Sequence, residues 1–198
     1  MFNYFLGFFR HKKEKKRAES IVKRNIGERL EFDDRDVLER TIFPYILAFH
    51  NPKKILDVGR EPYQHFYNEF FKGRELWTLE KNPKRKKYGA KKHVIGDASK
   101  ISEYFKEDYF DVVFMNGVFG WGLNKKEDIE NSFNGVFKVL KNEGIFILGW
   151  NDLKDLTPIP LNELESLKKF KKYYFKPLKT SEYTCPGEGR HTYSFFKK

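Results

Sequence analysis

The stretch Ile55-Leu56-Asp57-Val58-Gly59 decides the fold of this 198-residue chain. Its apolar residues predict a short buried strand, and the glycine that follows predicts a tight turn. The stretches Phe110–Asn116 and Gly144–Trp150 have the same apolar character, which is expected when both faces of a sheet are covered. Because helical patterns lie between these strands, the sequence predicts right-handed crossovers and a mostly parallel sheet.

Further strands and helices alternate along the chain and set the fold class. Additional strands are predicted at Glu75–Glu80, His93–Gly96, Lys172–Leu178 and His191–Phe196. Helices are predicted over residues 33–50, 61–72, 99–105 and 125–140. The prediction is therefore an α/β fold: a doubly wound, mostly parallel, seven-stranded Rossmann-like sheet with an antiparallel edge and helices on both faces.

The composition excludes several kinds of site and protein. The single cysteine, Cys185, rules out an internal disulfide and a cysteine-rich zinc site. No other group of metal-ligating residues has a convincing spacing, so we expect no metal. No apolar stretch reaches the roughly 20 residues of a membrane-spanning helix. This predicts a cytoplasmic protein that is at most peripheral at a membrane.

Positive charge is unevenly distributed along the chain, whose net charge is +11. We predict an N-terminal arm over residues 1–32, in which the basic residues are concentrated, and a main domain over residues 33–198. A second basic run, Lys81–Lys92, has no acidic residue. It is interpreted either as a solvated surface or as a site for phosphate groups, as in a nucleic acid.

The first 17 residues combine an apolar beginning with the basic run Arg10–Arg17. A secretory signal has its charges before its apolar region, so the order found here argues against one. An aromatic wedge next to a polybasic stretch predicts reversible attachment to an anionic membrane surface. The alternative is a first helix that docks on its own domain or on a partner chain through Phe5, Leu6 and Phe9.

Candidate ligand-binding residues lie where the predicted strands end. In open α/β sheets, ligands bind outside the carboxyl ends of the strands. Glu80 can accept both hydroxyls of a ribose, and Asp97 can accept from an exocyclic amine. Gly59 allows the backbone to approach a ligand closely, and Asn116 ends the fourth strand. Each acid alone is more often a helix cap or a surface charge, but their joint placement at consecutive strand ends predicts a ligand site.

Several stretches resemble the motifs of class I S-adenosylmethionine-dependent methyltransferases, in the same order. They are Ile55-Leu56-Asp57-Val58-Gly59, Leu79-Glu80, Gly96-Asp97-Ala98, Phe110-Asp111-Val112-Val113-Phe114 and Val139–Phe146. The resemblance implies S-adenosylmethionine as the cofactor, bound at the turn that contains Asp57. It further implies that Glu80 holds the ribose and that Asp97 and Ala98 hold the adenine. Gly59 and Asn116 are then assigned to the methionine portion.

The first motif departs from the family pattern, because its glycine is not followed by two more at alternate positions. Gly59 is followed instead by Arg60 and Glu61, and the side chain of one or the other is a candidate to project into the cofactor space. A dinucleotide needs these glycines more, since its pyrophosphate rests on the loop. The departure therefore argues against NAD, and it leaves weakened or absent S-adenosylmethionine binding as an alternative.

Candidate acceptor-side residues follow the fourth and fifth strands. They are Phe119, Trp121, Trp150, Asn151 and Asp152. Together they are predicted to form an aromatic slot, with a carboxylate or amide that orients the acceptor. His191 is a candidate base. The alternatives are that the rings pack on the following helix and that the histidine is structural.

The predicted function is methyl transfer from S-adenosylmethionine to a small-molecule, sugar or lipid-linked acceptor. One alternative is a nucleic-acid methyltransferase or binder, motivated by the net positive charge. Another is a non-catalytic protein of the same fold that docks on a membrane or partner, motivated by the incomplete glycine series. No catalytic residue is assigned.

Overall fold

A central open sheet organises the residues that the computed structural model describes, which are 2–198, with side chains from Leu6 onward. Within them the sheet has eight strands. They are β1 (Lys54–Val58), β2 (Glu75–Glu80), β3 (Lys92–Ile95), β4 (Phe110–Asn116), β5 (Leu140–Asn151), β6 (Lys171–Lys172), β7 (Glu182–Thr184) and β8 (His191–Lys197). The strand order is β3-β2-β1-β4-β5-β8-β6, and β7 also pairs with β8.

The first five strands are parallel, and β8 runs antiparallel to β5. The predicted α/β fold, with a mostly parallel sheet and an antiparallel edge, is therefore confirmed. Strand β1 lies between β2 and β4, so the strand order reverses beside it. This switch point opens a crevice at the carboxyl ends of the strands.

The antiparallel edge differs from the prediction of one strand over Lys172–Leu178. Strand β6 ends at Lys172, and a tight 3-10 turn occupies Lys176–Leu178. Pro177 in that turn has no N–H to donate to a neighbouring strand, and Lys179 has a left-handed backbone with φ 55°. The edge position is consequently shared by two short strands, and seven predicted strands become eight.

The helices lie on both faces of the sheet. They are α1 (Phe2–Arg24), α2 (Asp33–Asp36), α3 (Phe43–Tyr45), α4 (Tyr67–Phe70), α5 (Ile101–Tyr104), α6 (Lys126–Val139) and α7 (Glu165–Lys168). Helices α1 to α4 cover one core, which includes Phe43 and Tyr67, while α5 to α7 cover the other, which includes Phe133 and Val136. The two faces of β1 and β4 are thereby buried, as their apolar sequences require.

Helices α2 and α3 belong to one continuous helical segment over residues 33–50. π-helical turns at Val37–Ile42 and Ile46–His50 flank the short α3, which contains Pro44. A proline inside a helix removes a backbone hydrogen bond and disturbs the turn before it. Asn51 then ends the segment with a left-handed φ of 45°.

The helix predicted over residues 61–72 is wrong in extent, because only α4 is α-helical there. The ring of Phe43 packs against three rings of this segment, with centroid distances of 5.3 Å to Tyr67, 5.1 Å to Phe70 and 4.9 Å to Phe71. Burial of these large rings fixes the segment without a long run of helical hydrogen bonds. Gly73, with φ +84°, ends it as expected.

Helix α1 packs on the helical layer through Ala18, Ile21 and Val22, which are buried in the same core as the sheet. Leu6 is 46% exposed and Phe9 is 60% exposed, and the side chain of Phe5 lies outside the described part. The docking of these three residues on the domain or on a partner chain stays a prediction. The boundary between an arm and a domain at residue 32 stays a prediction. None of the described helices is both long and apolar enough to cross a bilayer.

Candidate functional site

A cleft of about 1080 Å³ opens at the carboxyl ends of β1 to β4. Its inner wall comes from the turns that follow these strands. Its outer wall comes from residues 30–35, before and within α2, and from the loop 185–190 between β7 and β8. The cleft therefore lies at the switch point of the sheet, where the sequence predicts the ligand site.

Gly59 forms the floor of the cleft directly after β1. Its φ of +86° is a left-handed conformation that favours glycine, and its N–H donates to the Leu79 carbonyl at 2.8 Å. A Cβ at this position would lie 2.6 Å from Cγ2 of Val118. Both the backbone conformation and the close approach of Val118 thus require glycine here.

The guanidinium of Arg60 is enclosed within the protein, although the residue belongs to the wall of the cleft. It is fully buried, lies 2.8 Å from Oδ2 of Asp57 and donates to the Gln64 carbonyl at 2.6 Å. Glu61 is held at the rim by an ion pair with Arg85 at 2.6 Å. Of the two side chains predicted as candidates to enter the cofactor space, that of Arg60 is therefore held inside the protein, while that of Glu61 lines the cleft.

Asp57 lies beneath the turn and is buried with Arg60. Burial raises the pKa of this carboxyl to about 6, although the charges of Arg60 and Arg35 oppose that shift. Asp57 does not line the cleft, whose wall at this turn begins with Val58. Its contact with Arg60 indicates a role in shaping the turn.

Glu80 lies at the end of β2 and lines the cleft. Its Oε2 accepts from the N–H of Arg60 at 3.0 Å, and its Oε1 accepts from the N–H of Asn82 at 2.8 Å. A carboxylate has about four acceptor sites, so these two bonds leave others for a ligand. The two backbone donors fix the orientation of the carboxylate in advance of binding.

Asp97 and Ala98 form the wall after β3. Oδ1 of Asp97 accepts from the N–H and the hydroxyl of Ser99, both at 2.9 Å, while Oδ2 lies 3.8 Å from Nζ of Lys81. The backbone hydrogen bond from Ser99 is the main cause that holds the pKa of Asp97 below its usual range. Asp97 is thus a helix cap and also a cleft carboxylate, and the two interpretations are compatible.

Asn116 ends β4 and contacts the last strand. Its Oδ1 accepts from Nε2 of His191 at 2.9 Å, while its Nδ2 is buried and has no hydrogen-bond partner among the described residues. A Cβ at Gly149 would lie 1.9 Å from this Oδ1, so the glycine makes room for the amide. A buried amide donor without a partner in a cleft wall is suited to a ligand acceptor atom.

His191 is a neutral hydrogen-bond donor in this environment. Burial lowers the pKa of its imidazole to about 4, an effect that Asp34 opposes and Arg35 assists. A base of that pKa is nearly fully deprotonated at neutral pH, but it holds an abstracted proton weakly. The geometry agrees with the structural alternative, and the role of a base stays a prediction.

The low pKa of His191 gives a testable pH dependence. Between its folded pKa of about 4 and its ordinary value of 6.5, the unfolded chain binds a proton that the folded chain does not. We therefore expect the free energy of unfolding to fall as the pH is lowered from about 7 to about 5. Urea unfolding at both pH values measures this, and His191→Gln should reduce the loss. An equal loss in the variant would show that His191 is not responsible.

On the acceptor side, the structure brings Trp121, Asn151 and His191 to the cleft. Trp121 is 61% exposed, and its Nε1 donates to Oδ1 of Asn151 at 3.0 Å. Nδ2 of Asn151 in turn donates to the Gly189 carbonyl at 2.7 Å. These contacts tie the loop after β4, the end of β5 and the last hairpin together at the mouth of the cleft.

The predicted aromatic slot is wrong for Phe119 and Trp150. Phe119 is fully buried and meets Trp150 edge to face, with a centroid distance of 6.1 Å. Trp150 is also buried and donates to the hydroxyl of Ser194 at 3.0 Å. Burial of these two large rings in the core is favoured by the hydrophobic effect. Asp152, which pairs with Arg190 at 2.6 Å, likewise lies outside the cleft.

Sequence reasoning missed the charged residues of the outer wall. Arg35 is buried at the cleft, where its Nη2 donates to the hydroxyl of Tyr63 at 3.0 Å and its Nε lies 3.2 Å from Asp34. Further inside, Arg29 is paired with Glu39, and both side chains are almost completely buried. No sequence motif predicts these ion pairs. The four arginines among the acidic residues of the stretch 24–40 are nevertheless consistent with ion pairs between helical residues.

The basic run Lys81–Lys92 lines the cleft only through Lys81, Asn82 and Arg85, while Lys92 lies at the other end of the sheet, beside Glu75. Three of its residues are paired with carboxylates: Lys81 with Asp97, Arg85 with Glu61 and Lys92 with Glu75. Local ion pairs account for part of this charge. The nucleic-acid interpretation of the run stays a prediction.

Comparison with protein families gives one match for this chain. Residues 71–148 match the family model described as a methyltransferase domain. That range begins before β2 and ends within β5, so it contains Glu80, Asp97 and Asn116. A search among curated proteins finds no match.

Solved structures of similar fold include several methyltransferases. A TehB-like S-adenosylmethionine-dependent methyltransferase from Corynebacterium glutamicum has a TM-score of 0.54 at 17% identity, covering 74% of this chain and 80% of that one. The N-methyltransferase NodS from Bradyrhizobium japonicum has a TM-score of 0.61 at 13% identity, covering 85% and 99%. The same enzyme in complex with S-adenosyl-L-homocysteine has a TM-score of 0.59 at 13% identity, covering 90% and 98%. At these identities the likeness is one of fold.

Proposed function

We propose that this chain is a class I S-adenosylmethionine-dependent methyltransferase. Its fold and the match of residues 71–148 confirm the resemblance to that family. S-adenosylmethionine is its cofactor, and its acceptor is a small molecule, a sugar or a lipid-linked group. The observation that carries this proposal is the placement of Glu80, Asp97 and Asn116 around one cleft, at the ends of β2, β3 and β4.

The residues of the cleft fit this cofactor. Gly59 keeps the floor open, the side chain of Arg60 is buried, and that of Glu61 is held at the rim by Arg85. S-adenosylmethionine has no phosphate, so a glycine-rich phosphate cradle is not needed. The buried amide nitrogen of Asn116, which has no partner among the described residues, is available to the amino-acid portion.

Each wall residue has a distinct task when the cofactor is bound. Bound S-adenosylmethionine supplies an electrophilic methyl group on a sulfonium. Glu80 accepts the hydrogen bonds of the ribose hydroxyls, and Asp97 accepts from the adenine amine beside Ala98. Asn116 donates to the methionine portion through Nδ2. These contacts hold the cofactor in one orientation, which is the main requirement of a methyl transfer.

The mouth of the cleft favours an acceptor that has an apolar part. Leu30, Phe32 and Trp121 line it and are exposed, while Asn151 offers an amide next to Trp121. Exposed apolar side chains around a polar group are typical of a small-molecule site, in which the polar group sets the orientation. A small or lipid-linked acceptor therefore suits this mouth.

Replacing Glu80 with alanine is expected to weaken S-adenosylmethionine binding by at least about a hundredfold, because two charge-assisted hydrogen bonds to the ribose are lost. Isothermal titration calorimetry measures the affinity of the full chain and of the variant. Glu75→Ala is the matched control, since Glu75 lies at the opposite end of the same strand. Equal affinity in Glu80→Ala and the wild type would refute the assignment of Glu80.

A further inference from the structure

Helix α1 is fixed on the rest of the protein by one of its faces. A Cβ on Gly7 would lie 2.7 Å from the ring of Phe49, so the helix approaches the segment 33–50 closely. Further along the helix, Ala18 and Val22 are buried in the core that includes residues of this segment. Nη1 of Arg17 donates to the Glu69 carbonyl at 3.0 Å, and its Nη2 donates to the Phe70 carbonyl. The orientation of α1 is therefore set by the fold.

The opposite face of α1 combines exposed apolar and basic side chains. Leu6 is 46% exposed and Phe8 is 62% exposed. Residues four apart lie on the same side of a helix, so Phe8, Lys12 and Lys16 form one outward stripe. Lys13 and Lys15 are exposed as well. This outward face, defined here as the exposed residues from Leu6 to Lys16, has apolar groups at one end and lysines along the rest.

The lysines of the outward face are not neutralised by the protein itself. Among the side chains that the structure describes, none of Lys12, Lys13, Lys15 and Lys16 forms an ion pair. The acid within this stretch, Glu14, is paired with Arg17 at 2.7 Å. Four ammonium groups next to exposed apolar side chains therefore point toward a partner that is both anionic and apolar.

We propose that the outward face of α1 binds the surface of an anionic lipid bilayer. The lysines interact with the negative headgroups, while Leu6 and Phe8 insert at the boundary with the acyl chains. A nucleic acid offers the negative charge but no apolar layer for Phe8. This inference does not depend on the proposed function, because lipid binding is measured without cofactor or acceptor.

Co-sedimentation with lipid vesicles tests the proposal on the full chain. With phosphatidylcholine vesicles that contain about 30% phosphatidylserine, we expect binding at about 0.15 M salt that weakens as salt is added. With phosphatidylcholine alone we expect little binding. The double variant Lys12→Ala, Lys13→Ala is expected to bind about 25-fold more weakly, since each lysine contributes roughly fivefold. Phe8→Ser is expected to bind roughly tenfold more weakly.

Matched controls use exposed residues elsewhere on the protein. Lys171→Ala with Lys172→Ala removes two exposed lysines of β6, and Tyr174→Ser removes an exposed aromatic ring. Both controls should bind like the wild type, and circular dichroism should show that all variants keep the fold. The proposal is overturned if phosphatidylserine has no effect, or if the controls lose as much binding as the α1 variants. It is also overturned if light scattering without lipid shows a dimer that Phe8→Ser dissociates, because the face then belongs to a second copy.

Discussion

Replacing Arg29 with alanine is expected to lower the free energy of unfolding by about 3–5 kcal/mol. Nε of Arg29 donates to Oε2 of Glu39, whose Oε1 accepts from the hydroxyl of Tyr67 at 2.9 Å. Burial already raises the pKa of Glu39, against the effect of Arg29. Without the guanidinium, a nearly fully buried carboxylate loses its charge partner. Denaturant unfolding at neutral pH measures the loss.

The matched control for this variant is Arg24→Ala. Arg24 is also paired with a glutamate, Glu69 at 2.7 Å, but that pair is exposed and should contribute less than about 1 kcal/mol. The loss in Arg29→Ala should shrink at acidic pH, because protonation of Glu39 removes its unpaired charge. A loss that matches that of Arg24→Ala would show that the buried pair does not stabilise the outer wall of the cleft.

The second large effect is expected for Gly120→Ala, at about 3 kcal/mol of unfolding free energy. Gly120 has a φ of +85°, and a Cβ would lie 2.0 Å from the Leu156 carbonyl oxygen. That oxygen belongs to the backbone, so the turn over Leu153–Thr157 has to move to admit the methyl group. The same shift would disturb the contact between Trp121 and Asn151 at the mouth of the cleft.

Gly122→Ala is the control for Gly120→Ala, two residues along the same loop. The position of a Cβ on Gly122 has no described atom within 4 Å, and its φ is outside the left-handed region. A change of less than about 0.5 kcal/mol is expected there. Denaturant unfolding measures the free energy of unfolding of both variants, and equal values would contradict the steric account of this loop.

The parallel half of the sheet could be predicted because its strands are buried on both faces. Strands β1, β4 and β5 have nearly continuous apolar runs, which are typical of strands that are buried on both faces. The antiparallel edge could not be predicted in detail. β6 and β7 are only two and three residues long, and their pairing with β8 depends on the turn around Pro177 rather than on their own pattern.

The placement of Glu80, Asp97 and Asn116 at one cleft could be predicted, because these residues lie at the ends of successive strands. The burial of the Arg60 side chain could not be predicted, since it depends on Asp57 and on a carbonyl four residues later. No pattern in the sequence shows whether a guanidinium after a strand turns inward or outward.

Whether the acceptor-side candidates reach the cleft depends on tertiary packing, and only some of them do. Phe119 and Trp121 are separated only by Gly120, yet one ring is buried and the other is exposed. The left-handed turn at Gly120 decides between them. Arg29 was missed because its partner Glu39 lies ten residues away and is brought to it by the packing of two segments.

The central claim is that the cleft binds S-adenosylmethionine although its glycine series is incomplete. A crystal structure of the full chain grown with saturating S-adenosyl-L-homocysteine tests it most directly. We expect the ribose against Glu80, the adenine against Asp97 and Ala98, and the guanidinium of Arg60 still on Asp57. An empty cleft at saturating ligand, or ligand bound elsewhere, would contradict the account.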